Sequence, residues 1–417
     1  MRDPLVQPLL QDERLELGPF DLGWETNRRL QTRFGFRPRL TSWLRTDLSV
    51  ATLYSSDRNA TLVEVTSTPA GDTLRELQRS ANGQRDARLS VTLDPSAMVL
   101  ELVGDTTQEV ESFGAALRSI GSAFDPLSFT WQDGITSRFN RQVVDPGAGF
   151  QFGWAGYDDF LVVDGQSAAT LTDRTAWTAG SGVSPLPGLR LTANYMSSLA
   201  TTLDTRSDRK AYSRTWPDVR ARIQDVTIPS FLQRFVTGVS LTSGFRKTIR
   251  EATYGGSGLQ RRVREDREIP LDLSVRWLGA VSTTYRGSYL DGDGEDPTGD
   301  TERQRRSHLL SLTSSFAAPS RFANRLDQPI QLTFGYQYTS QTDCRATAGR
   351  EACTAFMDQI IKSLNLTLDT TVSLVQVGLQ LSYTDRQSFV GRRGGSTQFQ
   401  LGFFGQFLFE NGQFTGF

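Results

Sequence analysis

The sequence predicts an all-β fold: an antiparallel transmembrane β-barrel, or a segment of a very large one, with about 12–14 strands. Three observations predict it. First, apolar and polar residues alternate strictly near the end of the chain. Val375, Val377, Leu379, Leu381 and Tyr383 interleave with Gln376, Gly378, Gln380 and Ser382. Phe399, Leu401, Phe403, Phe407 and Phe409 repeat the pattern against Gln398, Gln400, Gly402 and Gln406. Successive strand side chains point to opposite sides, so each segment has one apolar and one wet face. The wet face carries Gln, Gly and Ser rather than the charges usual on a soluble sheet, which suits lipid on one side and an aqueous interior on the other.

Second, the chain is polar overall, with a mean hydropathy of −0.36, despite 37 Gly and 25 Phe in 417 residues. A helical span needs about 20 mostly apolar residues, and no such run occurs. A barrel tolerates this polarity because only alternate residues meet lipid. Third, strand and turn signals recur along the whole chain without a compositional break, so residues 1–417 read as one barrel segment.

In chain order, Met1 to Leu17 holds no apolar core of a signal peptide, so the chain is expected to be the downstream piece of a longer protein. Leu30, Thr32, Phe34 and Phe36 alternate, and Leu44, Leu48, Val50, Thr52 and Tyr54 continue as a partner strand before a loop at 55–59. A weaker strand pair is expected at 61–66 and 87–92. Residues 105–121 read as a helical insertion. Thr106 and Glu109 have capping-box spacing, and Val110, Phe113, Leu117 and Ile120 share a helical face. A connector against the barrel rim is its expected role, a plug or lid the alternative. Further strands are expected at 127–141, 148–154, 188–197, 237–250, 269–288, 305–316 and 329–340. Ser230 is positioned to cap a single turn through Phe235. Short turns such as Asp369-Thr370-Thr371 contrast with long polar loops at about 290–302 and 342–355, the asymmetry of outer-membrane barrels. At the very end, Asn411-Gly412 is a hairpin dipeptide and Phe417 a terminal aromatic.

Little enzymatic chemistry is available. The one histidine, His308, reads as an incidental loop-edge residue; any Ser-His or Cys-His arrangement would need it. Gly255-Gly256-Ser257-Gly258 lacks the lysine of a phosphate loop. The segment Asp291–Asp296 offers oxygen ligands but not the EF-hand order, so a solvated acidic loop is the expectation and calcium the alternative. Cys344 and Cys353 are expected to close a small disulfide loop, free thiols being the alternative; two Cys and one His cannot complete a four-ligand zinc site. No cofactor is implied. A net charge of −1 gives no reason to expect nucleic acid. The runs Arg261-Arg262-Val263-Arg264 and Arg303 to Arg306 read as solvated loop ends, with headgroup or lumen contact as the alternative.

Residues 215–251 resemble a recurring element of the SprA (Sov) family, the outer-membrane translocon of the type IX secretion system. The resemblance rests on Trp216-Pro217-Asp218, on Phe231 in Pro229-Ser230-Phe231-Leu232, and on the closing Ser243-Gly244-Phe245-Arg246. The hairpins around Asn365–Leu368 and Val377–Leu379 are also similar to the family's C-terminal end. The resemblance implies a piece of an outer-membrane protein-export channel passing secreted proteins to the cell surface. Its partners would be outer-membrane lipid, secreted cargo, other outer-membrane and plug proteins of the system, and further barrel sequence upstream. Two other readings stay open: a self-contained porin-like barrel for small solutes, and a soluble β-rich surface or adhesion protein.

Overall fold

The computed structural model describes residues 14–17, 20–38, 40–67, 73–103, 119, 121–204, 207–224, 230–255, 260–317, 328–346, 353–372, 375–391 and 394–407. The expected all-β antiparallel class is what it shows. Fifteen strands form one antiparallel sheet in up-and-down order: β3 (Asn27–Phe36), β4 (Leu44–Ser67), β5 (Thr73–Leu93), β6 (Leu127–Gln142), β9 (Thr170–Leu186), β10 (Leu189–Asp204), β11 (Asp208–Ile223), β12 (Val236–Tyr254), β13 (Gln260–Trp277), β14 (Val281–Asp296), β15 (Gly299–Phe316), β16 (Ile330–Ala346), β17 (Thr354–Val372), β18 (Val375–Ser388) and β19 (Gly394–Phe407). Two small hairpins, β1 (Arg14–Leu17) with β2 (Phe20–Trp24) and β7 (Val162–Val163) with β8 (Gln166–Ser167), stand apart from it. The chain divides into two compact units: residues 1–181, 195–214 and 250–261, and residues 182–194, 215–249 and 262–417.

The main sheet has more strands than the sequence suggested because several expected loops are strand. Residues 55–59 continue β4, with a register shift between Arg58 and Val63. The expected single strand at 269–288 is two, β13 and β14. They turn at Leu278-Gly279-Ala280, where Gly279 and Ala280 both adopt positive φ. Asp369–Thr371 lies inside β17, which runs to Val372.

The long loops are shorter than expected too. Asp291–Asp296 is the end of β14, which turns into β15 through Pro297-Thr298, so the acidic segment is strand and not loop. Asp296 accepts from the Thr298 amide at 2.8 Å, closing that turn. β16 runs to Ala346 and β17 resumes at Thr354, inside the expected 342–355 loop. Polar composition misled here because a strand that projects beyond its hydrophobic surroundings is polar on both faces and still keeps its ladder bonds.

Most of the expected helix at 105–121, and the tail with Phe409, Asn411-Gly412 and Phe417, lie outside the described residues. A helix that was not expected, α1 (Pro95–Val103), precedes that segment. Asp94 caps it: its Oδ1 accepts from the Ser96 amide at 3.1 Å, the Ser96 hydroxyl at 2.7 Å and the Ala97 amide at 3.1 Å. These bonds, the Ser96 hydroxyl foremost, hold the Asp94 carboxyl below its ordinary pKa. Pro95 occupies the first helical position, where its missing N–H costs nothing.

Residues 148–154 are not a strand. Between β6 and β9 lies an insert carrying α2 (Ala148–Gln151), α3 (Tyr157–Leu161) and the β7–β8 hairpin. It packs on β4, β5 and β6 and builds the hydrophobic core of the first unit: Tyr54, Ala81, Ile135, Phe139, Phe150, Phe160 and Leu171 are all buried. Phe150 meets Tyr54, Phe139 and Phe160 with ring centroids 6.1, 5.9 and 4.8 Å apart. Gly83 opens the sheet beneath it; a Cβ there would stand 2.6 Å from the Phe150 ring. The buried Ser137 hydroxyl donates to the Phe160 carbonyl at 2.5 Å. Ser230–Phe235 forms a hydrogen-bonded turn before β12 rather than a helix, with the Phe235 and Val236 amides donating to the Leu232 carbonyl.

Candidate functional site: one apolar and one polar face

In the second unit the register lines up the alternation seen in sequence. Leu368, Leu379 and Phe403 share a row across β17, β18 and β19, as do Leu366, Leu381 and Leu401, and Leu364, Tyr383 and Phe399. The rows continue through Leu332, Phe334 and Tyr336 of β16 to Leu310 and Leu312 of β15 and Tyr285 of β14. The pairing register keeps these alternate apolar residues of each strand on one face. That face is exposed: Phe403 is 82 % and Phe399 63 % accessible, and Leu401, Val377, Tyr383, Leu310 and Phe316 are exposed with them.

The other face of the same strands is polar and holds the buried side chains. Thr339, Gln341, Asp343, Asp266, Thr371 and Thr248 are buried. Val236 is the one buried apolar side chain among the described residues of this unit. Gln341 and Arg303 both donate to Asp343, at 3.0 and 3.1 Å. Burial is thus inverted relative to a sheet folded against an apolar core, where large apolar residues are the buried ones.

At one edge of the apolar rows stand Tyr285, His308, Tyr336, Tyr338 and Tyr383. His308 is central in β15, not at a loop edge, and pairs in register with Tyr338. Its Nδ1 lies 2.7 Å from the Tyr285 hydroxyl, with the Tyr285 and Tyr338 rings on either side. The missed signal was the alternation Arg306, His308, Leu310, Leu312, which places the ring on the apolar face. Beyond this edge the same face turns charged, with Lys362, Asp385 and Arg306.

The first unit repeats the division. Phe34, Val50, Ala87 and Asp133 share a row, and the next holds Phe36, Leu48, Leu89, Trp131 and Trp177. Phe34, Phe36, Leu127 and Trp177 are exposed. Trp177 packs against Phe129 and Trp131, centroids 5.5 and 6.2 Å away. Farther along the same face the insert covers Tyr54, Gly83 and Ser137. Arg85 joins the two zones, donating to the Ala155 carbonyl at 3.2 Å and pairing with Asp133 at 3.5 Å. The opposite, polar face holds a cleft of about 590 Å³ whose lining includes Arg33, Ala51, Asp86, Arg88, Gly134 and Arg174.

Of the 215–251 residues singled out in sequence, Asp218 meets Arg246, and Gly244 packs on the β11 backbone, within the second unit. Arg246 lies 3.4 Å from both Asp218 and Glu268, and Arg220 3.3 Å from Asp218. Gly244 has no room for a side chain, since a Cβ would collide with the Val219 carbonyl oxygen. Trp216, Phe231 and Phe245 are exposed, and the Trp216-Pro217 bond is cis. Cys344 and Cys353 are disulfide-bonded, with Cα atoms 5.5 Å apart. Glu302, which faces this pair, therefore gains no thiolate partners for a metal. Two acidic residues of β14 are tied to arginines: Asp296 accepts from Arg345 at 2.8 Å and Asp293 lies 3.7 Å from Arg267. Of the basic runs, Arg261 pairs with Glu251, Arg264 with Asp266 and Arg303 with Asp343.

No protein-family model and no curated protein sequence matches the chain. Among solved structures the chain is similar to the outer membrane transporter YddB from Escherichia coli, with a TM-score of 0.40, 9 % identity and 88 % of this chain covered. It is also similar to the alcaligin outer membrane receptor FauA from Bordetella pertussis, with a TM-score of 0.34, 9 % identity and 90 % of this chain covered. The chain spans 56 % and 64 % of the lengths of those two proteins.

Proposed function

We propose that this chain is a wall segment of an outer-membrane β-barrel transport protein of a Gram-negative-type bacterium, with its apolar face on lipid and its polar face on an aqueous passage. The inverted burial carries the reading. Water would not leave Phe399, Leu401 and Phe403 exposed in one contiguous row system while Asp343 and Gln341 are buried on the opposite face of the sheet. The strands suit the role: β17 has 19 residues and β18 has 14, against about 9–11 needed to cross a membrane at a tilt. The aromatic edge followed by Lys362 and Asp385 suits an interface between hydrocarbon and water.

Within that class we assign the chain to protein export, on the resemblance of residues 215–251 to the SprA family. The passage would be a passive conduit for secreted proteins, working with plug proteins and further barrel sequence. The Asp218–Arg246–Glu268 cluster gives the resembling residues a physical role, tying β11, β12 and β13 together at mid-strand on the polar side.

Fractionation of cells expressing the full native gene tests the first step. The protein should reach the outer membrane and show heat-modifiable gel mobility; a soluble, detergent-independent monomer would overturn the reading. Disruption of the gene tests the second. Export predicts that proteins disappear from the cell surface while uptake of small solutes is unchanged, and the opposite pattern would replace export with solute transport.

A further inference from the structure

The polar face of the first unit carries a cluster that the transport reading does not use. Arg33 of β3, Ala51 of β4, Asp86 of β5, Gly134 of β6 and Arg174 of β9 lie in one row across five strands. Arg88 is one row along β5, beside Ser49 of β4 and Gln132 of β6. Adjacent strands are about 4.8 Å apart, so Arg33 and Arg174 bracket roughly 19 Å of sheet with Arg88 on the central strand. Between the arginines the floor is made of Ala51, Gly134, Ser49 and Ala176, which leaves the cleft of about 590 Å³ open above them.

Charge is unbalanced there. Several arginines elsewhere face carboxylates: Arg246 with Asp218, Arg264 with Asp266, Arg303 with Asp343 and Arg345 with Asp296. In the cleft, Arg37 is satisfied by Asp47 at 2.8 Å. The Arg88 Nε has only the Ser90 hydroxyl, at 3.3 Å. Neither Arg33 nor Arg174 has a side-chain hydrogen bond or ion pair among the described residues. Of the two carboxylates that line the cleft, Asp86 accepts from the Gln84 side-chain amide at 2.6 Å and Asp133 lies 3.5 Å from Arg85. Three guanidiniums without a carboxylate partner line a small-residue floor, and a bound anion would supply that partner. A guanidinium presents a planar fork of donors matched to carboxylate and phosphate oxygens. The cleft is within the range of small-molecule sites, about 300–1,000 Å³.

We infer that this cleft is a binding site for a small, multiply charged oxyanion, a polycarboxylate or a phosphate ester, held by Arg33, Arg88 and Arg174. The site goes beyond the transport reading and does not depend on it, because binding is measurable on the purified chain in detergent or in buffer.

Titration calorimetry with citrate and with inorganic phosphate tests it. At low salt one of the two should bind saturably, and the tighter one distinguishes the polycarboxylate from the phosphate class. Affinity should fall steeply as ionic strength rises. Arg33→Gln and Arg174→Gln should each weaken binding on the order of tenfold, the double variant more. Arg33→Lys should retain part of the affinity, since it keeps the charge and loses the fork. Arg29→Gln lies on the same face outside the cleft and should leave binding unchanged. All of these positions are exposed, so the fold is unaffected, which circular dichroism checks. Absence of saturable binding for both probes would overturn the inference. So would an equal loss in Arg29→Gln, which would mean a diffuse charge effect rather than a site.

Discussion

Replacing Leu379 by Arg is the sharpest test of which face meets lipid. Leu379 is central in the run Val375–Tyr383 and pairs with Leu368 and Phe403. Two residues advance a strand by about 6.8 Å, and a tilt near 40° turns that into roughly 5 Å along the membrane normal. Two rows separate Leu379 from Val375 and two from Tyr383, so the new guanidinium would sit about 10 Å from either edge of the apolar band. An Arg at the midplane of the lipid face costs about 2–4 kcal/mol. That shifts the folding equilibrium roughly 30- to 700-fold. Gln380 is its chain neighbour on the polar face, and Gln380→Arg should stay within about 0.5 kcal/mol. The assay is reversible urea unfolding of protein refolded into phospholipid vesicles, followed by heat-modifiable mobility. If Leu379→Arg is as neutral as Gln380→Arg, that face does not contact hydrocarbon. If Gln380→Arg is the damaging one, the faces are assigned the wrong way round.

Three further outcomes are expected. Gly244→Ala should destabilise by about 1–3 kcal/mol through its collision with the Val219 carbonyl. Gly335→Ala, whose nearest atom would be the Asn365 oxygen at 3.9 Å, should cost less than half as much; equal midpoints would refute the packing argument. Reduction of Cys344–Cys353, which closes a loop of sequence separation 9, should lower stability by about 2.5 kcal/mol on the chain-entropy account. Unfolding with and without reductant, with free thiols counted by mass, reads this. Asp94→Ala should fray α1 by about 1 kcal/mol. The Asp94 pKa is depressed in the folded chain, so its contribution is complete above the ordinary value of 3.8 and is lost as pH falls through the folded value. Protection factors over residues 95–103, referred to the intrinsic exchange rate at each pH, should therefore fall with acid in the native protein, and Asp94→Ala should be less protected at neutral pH with a weaker acid dependence.

The apolar rows of β18 and β19 were legible in sequence because a strand has a period of two, and side-chain chemistry at alternate positions records its surroundings directly. The same logic gave the strands around Phe34, Val50 and Leu332. It failed where polar strand and polar loop look alike. Asp291–Asp296 is acidic on both faces and carries two glycines, yet it continues the ladder of β14 because Arg267, Arg345 and the partner strands hold it. It failed at 148–154 for the opposite reason. Phe150 and Phe152 alternate as in a strand, but the glycines around them let the chain coil into a short helix and drop Phe150 onto Gly83. Asp94-Pro95 did announce a helix start, a cap followed by proline, but the capping-box pattern at 105–121 drew the helix farther along.

What the sequence determined by itself was the class of structure and the existence of two unlike faces, since both follow from local periodicity and overall polarity. What only the tertiary structure decided was which distant residues meet. Asp218 reaches Arg246 and Glu268, the insert finds its seat on β4–β6, and Arg33, Arg88 and Arg174 gather around one cleft. These depend on pairing register between strands far apart in the chain. Register is set jointly by the twist, the turns and the packing of many strands, and no single stretch of sequence contains it.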